Sequence, residues 1–229
     1  MDSACLRSFY DRVYAELQAT DPAAAAEMAR LRMAPFASDP GQTLCPCRLL
    51  ACSMKPYGAP NRSYPFGWEE RERRPGLHRW YDGGRATGNF VREADKLVQG
   101  VLAALSDGTP VRAVPNLYAY FFRAADARQL KSFGLERIDC SAFHREVLEV
   151  IDPEVILCIG NGPAPSAFAT YSELLDCTTV HELAPSPRVK VKYGTADGRL
   201  LIGVPHLSYV RAEAVLPAVR TLLANRSLP

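Results

Sequence analysis

Four short, mostly apolar runs constrain this chain more than any other feature: RLLACSM at 48–54, VRAVPNLYAYF at 111–121, EVILCIG at 154–160 and RLLIGVP at 199–205. Between the first two, NFVREADKLVQGVLAAL repeats its apolar side chains at helical spacing, with Phe90, Ala94, Leu97, Val98, Val101, Leu102 and Leu105 on one stripe. Between the second and third, SAFHREVLEVI is opened by Asp139 or Ser141 as a cap and closed by Asp152-Pro153. Short apolar strands alternating with helices specify a mostly parallel sheet covered on both faces. The expected fold is therefore a three-layer α/β/α domain around a central four-stranded, mostly parallel sheet.

The remaining sequence fits around that sheet. Residues 3–33 carry a helical pattern with Asp21 as a cap and Pro22 in the first turn, so 1–44 reads as a helical segment packed on a single domain spanning 1–229. The stretch 67–88 is dense in Arg, Glu and Gly, too polar for a core, and reads as a functional loop or lid. A hydrophobic fraction of 48% with 27 basic against 25 acidic side chains describes neither a disordered chain nor a membrane span. No apolar run approaches the ~20 residues needed to cross a bilayer, and the start MDSACLRSFYDR has no signal-type apolar segment. A cytoplasmic, monomeric protein with seven reduced cysteines is expected.

In sheets of this kind, ligands bind at the carboxyl ends of the strands. Here those ends run into KPYGAPNRSYPF, the segment around PNLYAYF, GNGPAPSAF and PHLSYVR. In this order the four loops resemble the uracil-DNA glycosylase superfamily over roughly residues 45–215. SMKPYG stands where that family has a motif such as G-Q-D-P-Y-H or G-x-N-P-G. Asn116 matches a base-reading Asn, IDPEVILCIGNGPAPSAF matches an x-P-x-V-I-L-x-L-G stretch, and VPHLSYVR is similar to the terminal H-P-S-P-L-S-R motif.

The resemblance implies a DNA glycosylase acting on a deaminated or modified base, with DNA as partner; no cofactor or metal is expected, because the cysteine spacing departs from the iron–sulfur pattern that some branches carry. Such an enzyme must stabilise a cationic sugar while negative charge collects on the departing base. His206 is then the donor to the base oxygen; otherwise it is a satisfied histidine at a strand end. Asn116 offers a donor and an acceptor to the edge of a flipped base, or caps the turn after Pro115. Phe66 stacks on the base, or anchors its loop in the core. Leu207 wedges into the duplex while Ser208, Tyr209 and Arg211 meet phosphates, provided that Leu207 is exposed.

Two departures limit the analogy. Lys55 replaces the Asp or Asn that positions the attacking water, and a lysine does not stabilise a cationic sugar by charge. It is a nucleophile forming a Schiff base, or a contact to phosphate or to a base substituent with the acid supplied by Glu69, Glu70 or Asp82, or an incidental surface lysine. Tyr57 keeps the family's tyrosine, which excludes C5-substituted pyrimidines in one branch, but Gly58 replaces the histidine beside it. The cysteine spacing fails the family's iron–sulfur pattern, leaving a partial metal site at Cys45, Cys47 and Cys52 as a minor alternative. A catalytically silent DNA-binding protein on the same fold is the alternative from a different class.

Overall fold

The computed structural model describes residues 3–76 and 88–225. In chain order its elements are helices α1 (Ser3–Thr20), α2 (Pro22–Leu31) and α3 (Pro40–Thr43), strand β1 (Leu49–Ser53), helices α4 (Gly67–Arg73) and α5 (Asn89–Ala104), strand β2 (Asn116–Tyr118), helices α6 (Ala127–Ser132) and α7 (Ser141–Ile151), strand β3 (Val155–Ile159), helix α8 (Ala167–Leu174), strands β4 (His181–Ser186), β5 (Val189–Ala196) and β6 (Arg199–Val204), and helix α9 (Ala212–Ala224). The cap expected at Asp21 is present, its carboxylate accepting from Ala24 N at 3.0 Å.

All four expected strands are present, and they are parallel neighbours in the order β2-β1-β3-β6. The sheet nevertheless has six strands, not four. β5 pairs antiparallel with β6, and β4 antiparallel with β5, so the sheet is mixed. In β5, Val189 and Val191 are buried while Lys190 and Lys192 are not, the period of two that a half-covered strand requires. Asp197 and Gly198 both take positive φ in the two-residue turn from β5 to β6, the backbone that a tight hairpin needs. The second expected strand is also shorter than its apolar run, because Val111–Ala113 forms a single 3-10 turn.

Alternation along the parallel strands sorts their side chains into two cores. Leu50, Cys52, Leu117, Ile156 and Cys158 face α1, α2, α7 and α8. Leu49, Ala51, Tyr118, Leu157 and Ile202 face α5 and α9. The fully buried pattern of β1 and β3 follows from being covered on both sides. Among the described residues no helix is long and apolar enough to cross a membrane.

Candidate functional site

At the carboxyl ends of β1, β2 and β6 lies a cleft of about 800 Å³. Its floor is Ser53 and Tyr118, register partners at the ends of β1 and β2. Met54, Lys55 and Tyr57 enter from the loop after β1, Arg123 and Ala125 from the segment after β2, and His206, Ser208 and Tyr209 from the loop after β6. The wall opposite is the first turn of α5, with Phe90 and Val91, and Tyr64 completes the aromatic lining. Among the described residues no carboxylate lines this cleft.

Lys55 sits where β1 breaks at Pro56. Its ammonium donates to the carbonyl of Ala124, which also accepts from the backbone N–H of Gly58 at 3.0 Å. A Cβ at position 58 would lie 3.0 Å from Arg123 Cβ and 3.1 Å from Ala124 N. Gly58 therefore stands at a close backbone approach, and that contact holds the Lys55 loop against residues 123–124. Burial pushes the Lys55 pKa down to about 8, against a smaller upward pull from the Asp126 carboxylate.

His206 is held from two sides. Its Nδ1 accepts from the backbone N–H of Ser208 at 3.3 Å, which assigns the proton of the neutral ring to Nε2. Phe90 stacks on the ring at 5.0 Å between centroids. One turn further along α5, the buried Glu93 accepts from Ala212 N at 2.8 Å, tying the start of α9 to the same helix. His206 is exposed at the mouth of the cleft by surface area, yet the protein packed around its ring lowers its pKa by desolvation, and the positive charge of Lys55 lowers it further.

Arg123 is buried with its guanidinium over the Tyr64 ring at 4.8 Å and one nitrogen 3.4 Å from Glu70. Ser53 Oγ is buried in the floor with no hydrogen-bond partner. An unsatisfied polar atom of this kind costs stability.

The cleft thus collects Lys55, Tyr57, His206, Ser208 and Tyr209 of the residues expected from sequence. Four others are placed differently. Phe66 is in the core, stacked on Trp68 at 4.2 Å, edge-on to Tyr10 at 4.6 Å, with Arg32 over its ring at 4.5 Å, so no ring face is left for a base. Leu207 is 1% exposed among side chains of α5 and α9, which removes the wedge role. Asn116 begins β2, two residues below the floor, with its backbone bonded to Ala37 and Ser38 and its side-chain Oδ1 buried without a partner. Arg211 is exposed at the N-cap of α9, outside the lining.

Two of the acids proposed to replace the missing one, Glu69 and Glu70, do not line the cleft. Glu69 reaches back to the N–H of Phe66 at 3.1 Å as part of the α4 cap, and Glu70 meets Arg123. Asp82 lies outside the described residues. The GNGPAPSAF loop after β3 is also absent from the lining: Asn161 ties it to the carbonyls of Lys190 and Gly203, and Ser166 caps α8. Among the described residues no three His, Cys, Asp or Glu side chains gather as a metal site, and all seven cysteines are free thiols.

Ser53, Tyr64, Phe90, Tyr118 and Arg123 complete the cleft without having been assigned to it from sequence. Ser53 was signalled by its place one step before Met54-Lys55 at a strand end; Arg123 had no local signal. Compared with protein-family models, with characterised proteins and with solved structures, the chain matches none of them.

Proposed function

We propose that this chain is a DNA glycosylase of the uracil-DNA glycosylase type, excising a deaminated or modified base with the Lys55 amine as its nucleophile. One observation carries the reading: Lys55 and His206 line the same aromatic cleft, the charge of one acting on the other, and the described lining contains no carboxylate. With no carboxylate among the described lining residues to position water or to offset a cationic sugar, those residues do not supply the central group of the water-based mechanism. A lysine with a lowered pKa supplies the alternative nucleophile.

In this mechanism the neutral Nζ attacks C1′ of the deoxyribose, forming an N–C1′ bond as the bond from C1′ to the base breaks. The base leaves with the electron pair of that bond. The Nε2–H of His206 hydrogen-bonds the oxygen on which this charge collects, a donor placed where negative charge develops. The proton lost by the amine ends on the departing base. Opening of the sugar gives an imine, and water hydrolyses it to return Lys55 and an abasic aldehyde. Tyr64 and Tyr118 supply the aromatic walls against which a planar base packs.

That no carboxylate is among the described lining residues also favours a second reading, a catalytically silent DNA-binding protein that uses the same cleft. Incubation with oligonucleotides containing uracil, hypoxanthine, hydroxymethylcytosine and glucosylated hydroxymethylcytosine, followed by alkaline cleavage at abasic sites, separates the two. Base release that is lost in Lys55→Met supports the enzyme. No release across the panel, with DNA binding retained, establishes the silent binder instead.

A further inference from the structure

We infer that the cleft receives its base from single-stranded DNA, with Tyr57 and Tyr209 as stacking platforms for the flanking bases. The inference rests on the reading of the cleft as a nucleobase site and specifies the form of nucleic acid presented to it. Among the described residues four large apolar or aromatic side chains are exposed, Tyr57, Val150, Val180 and Tyr209. The two tyrosines are the most exposed of the four, at 64% and 89%, and both line the cleft. An aromatic ring left almost wholly in water beside a binding cleft gains most from a planar partner, and every base offers one.

The cleft rim argues for single strands over duplex. Its exposed described residues are Tyr57, Gly88, His206, Ser208 and Tyr209, none of them aliphatic. The one leucine of this loop, Leu207, is buried and so unavailable to hold a duplex open. A protein that tracks duplex DNA neutralises several phosphates with basic side chains, whereas here the described cleft lining offers only Lys55 and Arg123, the latter buried and paired with Glu70, on a chain of net charge +2. With few cations, affinity must come from stacking. Two platforms, one in the loop after β1 and one in the loop after β6, engage bases on a flexible backbone that a paired helix keeps stacked on its own neighbours.

The test is anisotropy titration of the whole protein with a labelled 12-residue oligothymidylate, alone and annealed to its complement, over a range of salt. The single strand is expected to bind at least tenfold more tightly than the duplex. Its log affinity should fall with log salt at a slope no steeper than about −1.5, as two neutralised phosphates give. Tyr57→Ala and Tyr209→Ala should each weaken single-strand binding about fivefold or more, with Tyr57→Phe and Tyr209→Phe near wild type because the ring face is kept. Both tyrosines are exposed, so circular dichroism should show all four variants folded. Duplex binding equal to or tighter than single-strand binding overturns the inference, as does full affinity in both alanine variants, or no measurable binding to either form. Base release is measured separately, so single-strand preference without release sinks the glycosylase reading while leaving this one standing.

Discussion

If Lys55 is a nucleophile, its reactivity must follow its own titration. Burial lowers its pKa to about 8. At pH 7 about one-tenth of the molecules then hold a neutral amine, against about 0.03% for a lysine of ordinary pKa, so roughly 300-fold more of the reactive form is present. The assay need not know the base: an oligonucleotide carrying a preformed abasic aldehyde, with cyanoborohydride, traps the imine as a covalent adduct visible on a denaturing gel. The trapping rate should rise about tenfold per pH unit below 8 and level off above it. Asp126→Asn sharpens the test. The Asp126 carboxylate raises the Lys55 pKa, so removing its charge should move the inflection to lower pH and speed trapping at pH 6.5. Asn keeps the cap of α6, where Asp126 now accepts from Gln129 N at 2.8 Å. A pH-independent rate, an inflection near 10.5, or equal trapping in Lys55→Met, which leaves the other four lysines in place, would refute the reasoning.

Three further outcomes follow from the same geometry. Lys55→Met should raise the urea midpoint at pH 7, and the gap should close between pH 8 and 10.5: the folded state holds Lys55 at a lower pKa than the unfolded chain, so its charge costs stability until it is titrated away. His206→Asn should slow base release about 10²–10³-fold yet leave adduct formation on the abasic aldehyde near wild type, since no base departs there; equal losses in both assays would remove His206 from leaving-group stabilisation. Leu207→Ala should lower unfolding free energy by about 2–5 kcal/mol, as truncation of a fully buried leucine does, and chemical denaturation showing less than about 1 kcal/mol would mean that this side chain is not in the core.

What the sequence disclosed divides along physical lines. Strands buried on both faces write themselves as continuous apolar runs, and all four such runs are parallel strands at the expected places. β4 is an edge strand whose residues are mostly exposed, so HELAPS carries no apolar pattern to read. β5 was legible in principle, because RVKVKYG alternates and Asp197-Gly198 is a tight-turn pair. Lys55 and His206 could be located because a strand end fixes where the next residues emerge. Phe66 and Leu207 could not, because a loop side chain is directed by whatever packs on the loop. For Phe66 that is Tyr10, some 56 positions earlier; for Leu207 it is the pair of helices that closes over the sheet. Arg123 reaches the cleft because Gly58 lets two loops touch, a contact between segments 65 residues apart.

The first turn of α5 sets the conditions under which this site exists at all. Phe90 and Glu93 grip a histidine and a helix start that lie more than 110 positions further along the chain. β6 delivers His206, but a fragment beginning at α7 would carry that histidine without its stacking partner or the anchor of the following helix. The geometry of the cleft is therefore a property of chain closure: the imidazole acquires its orientation only once the two halves of the sequence have met, so a nascent or half-folded chain carries the cleft's residues without the cleft.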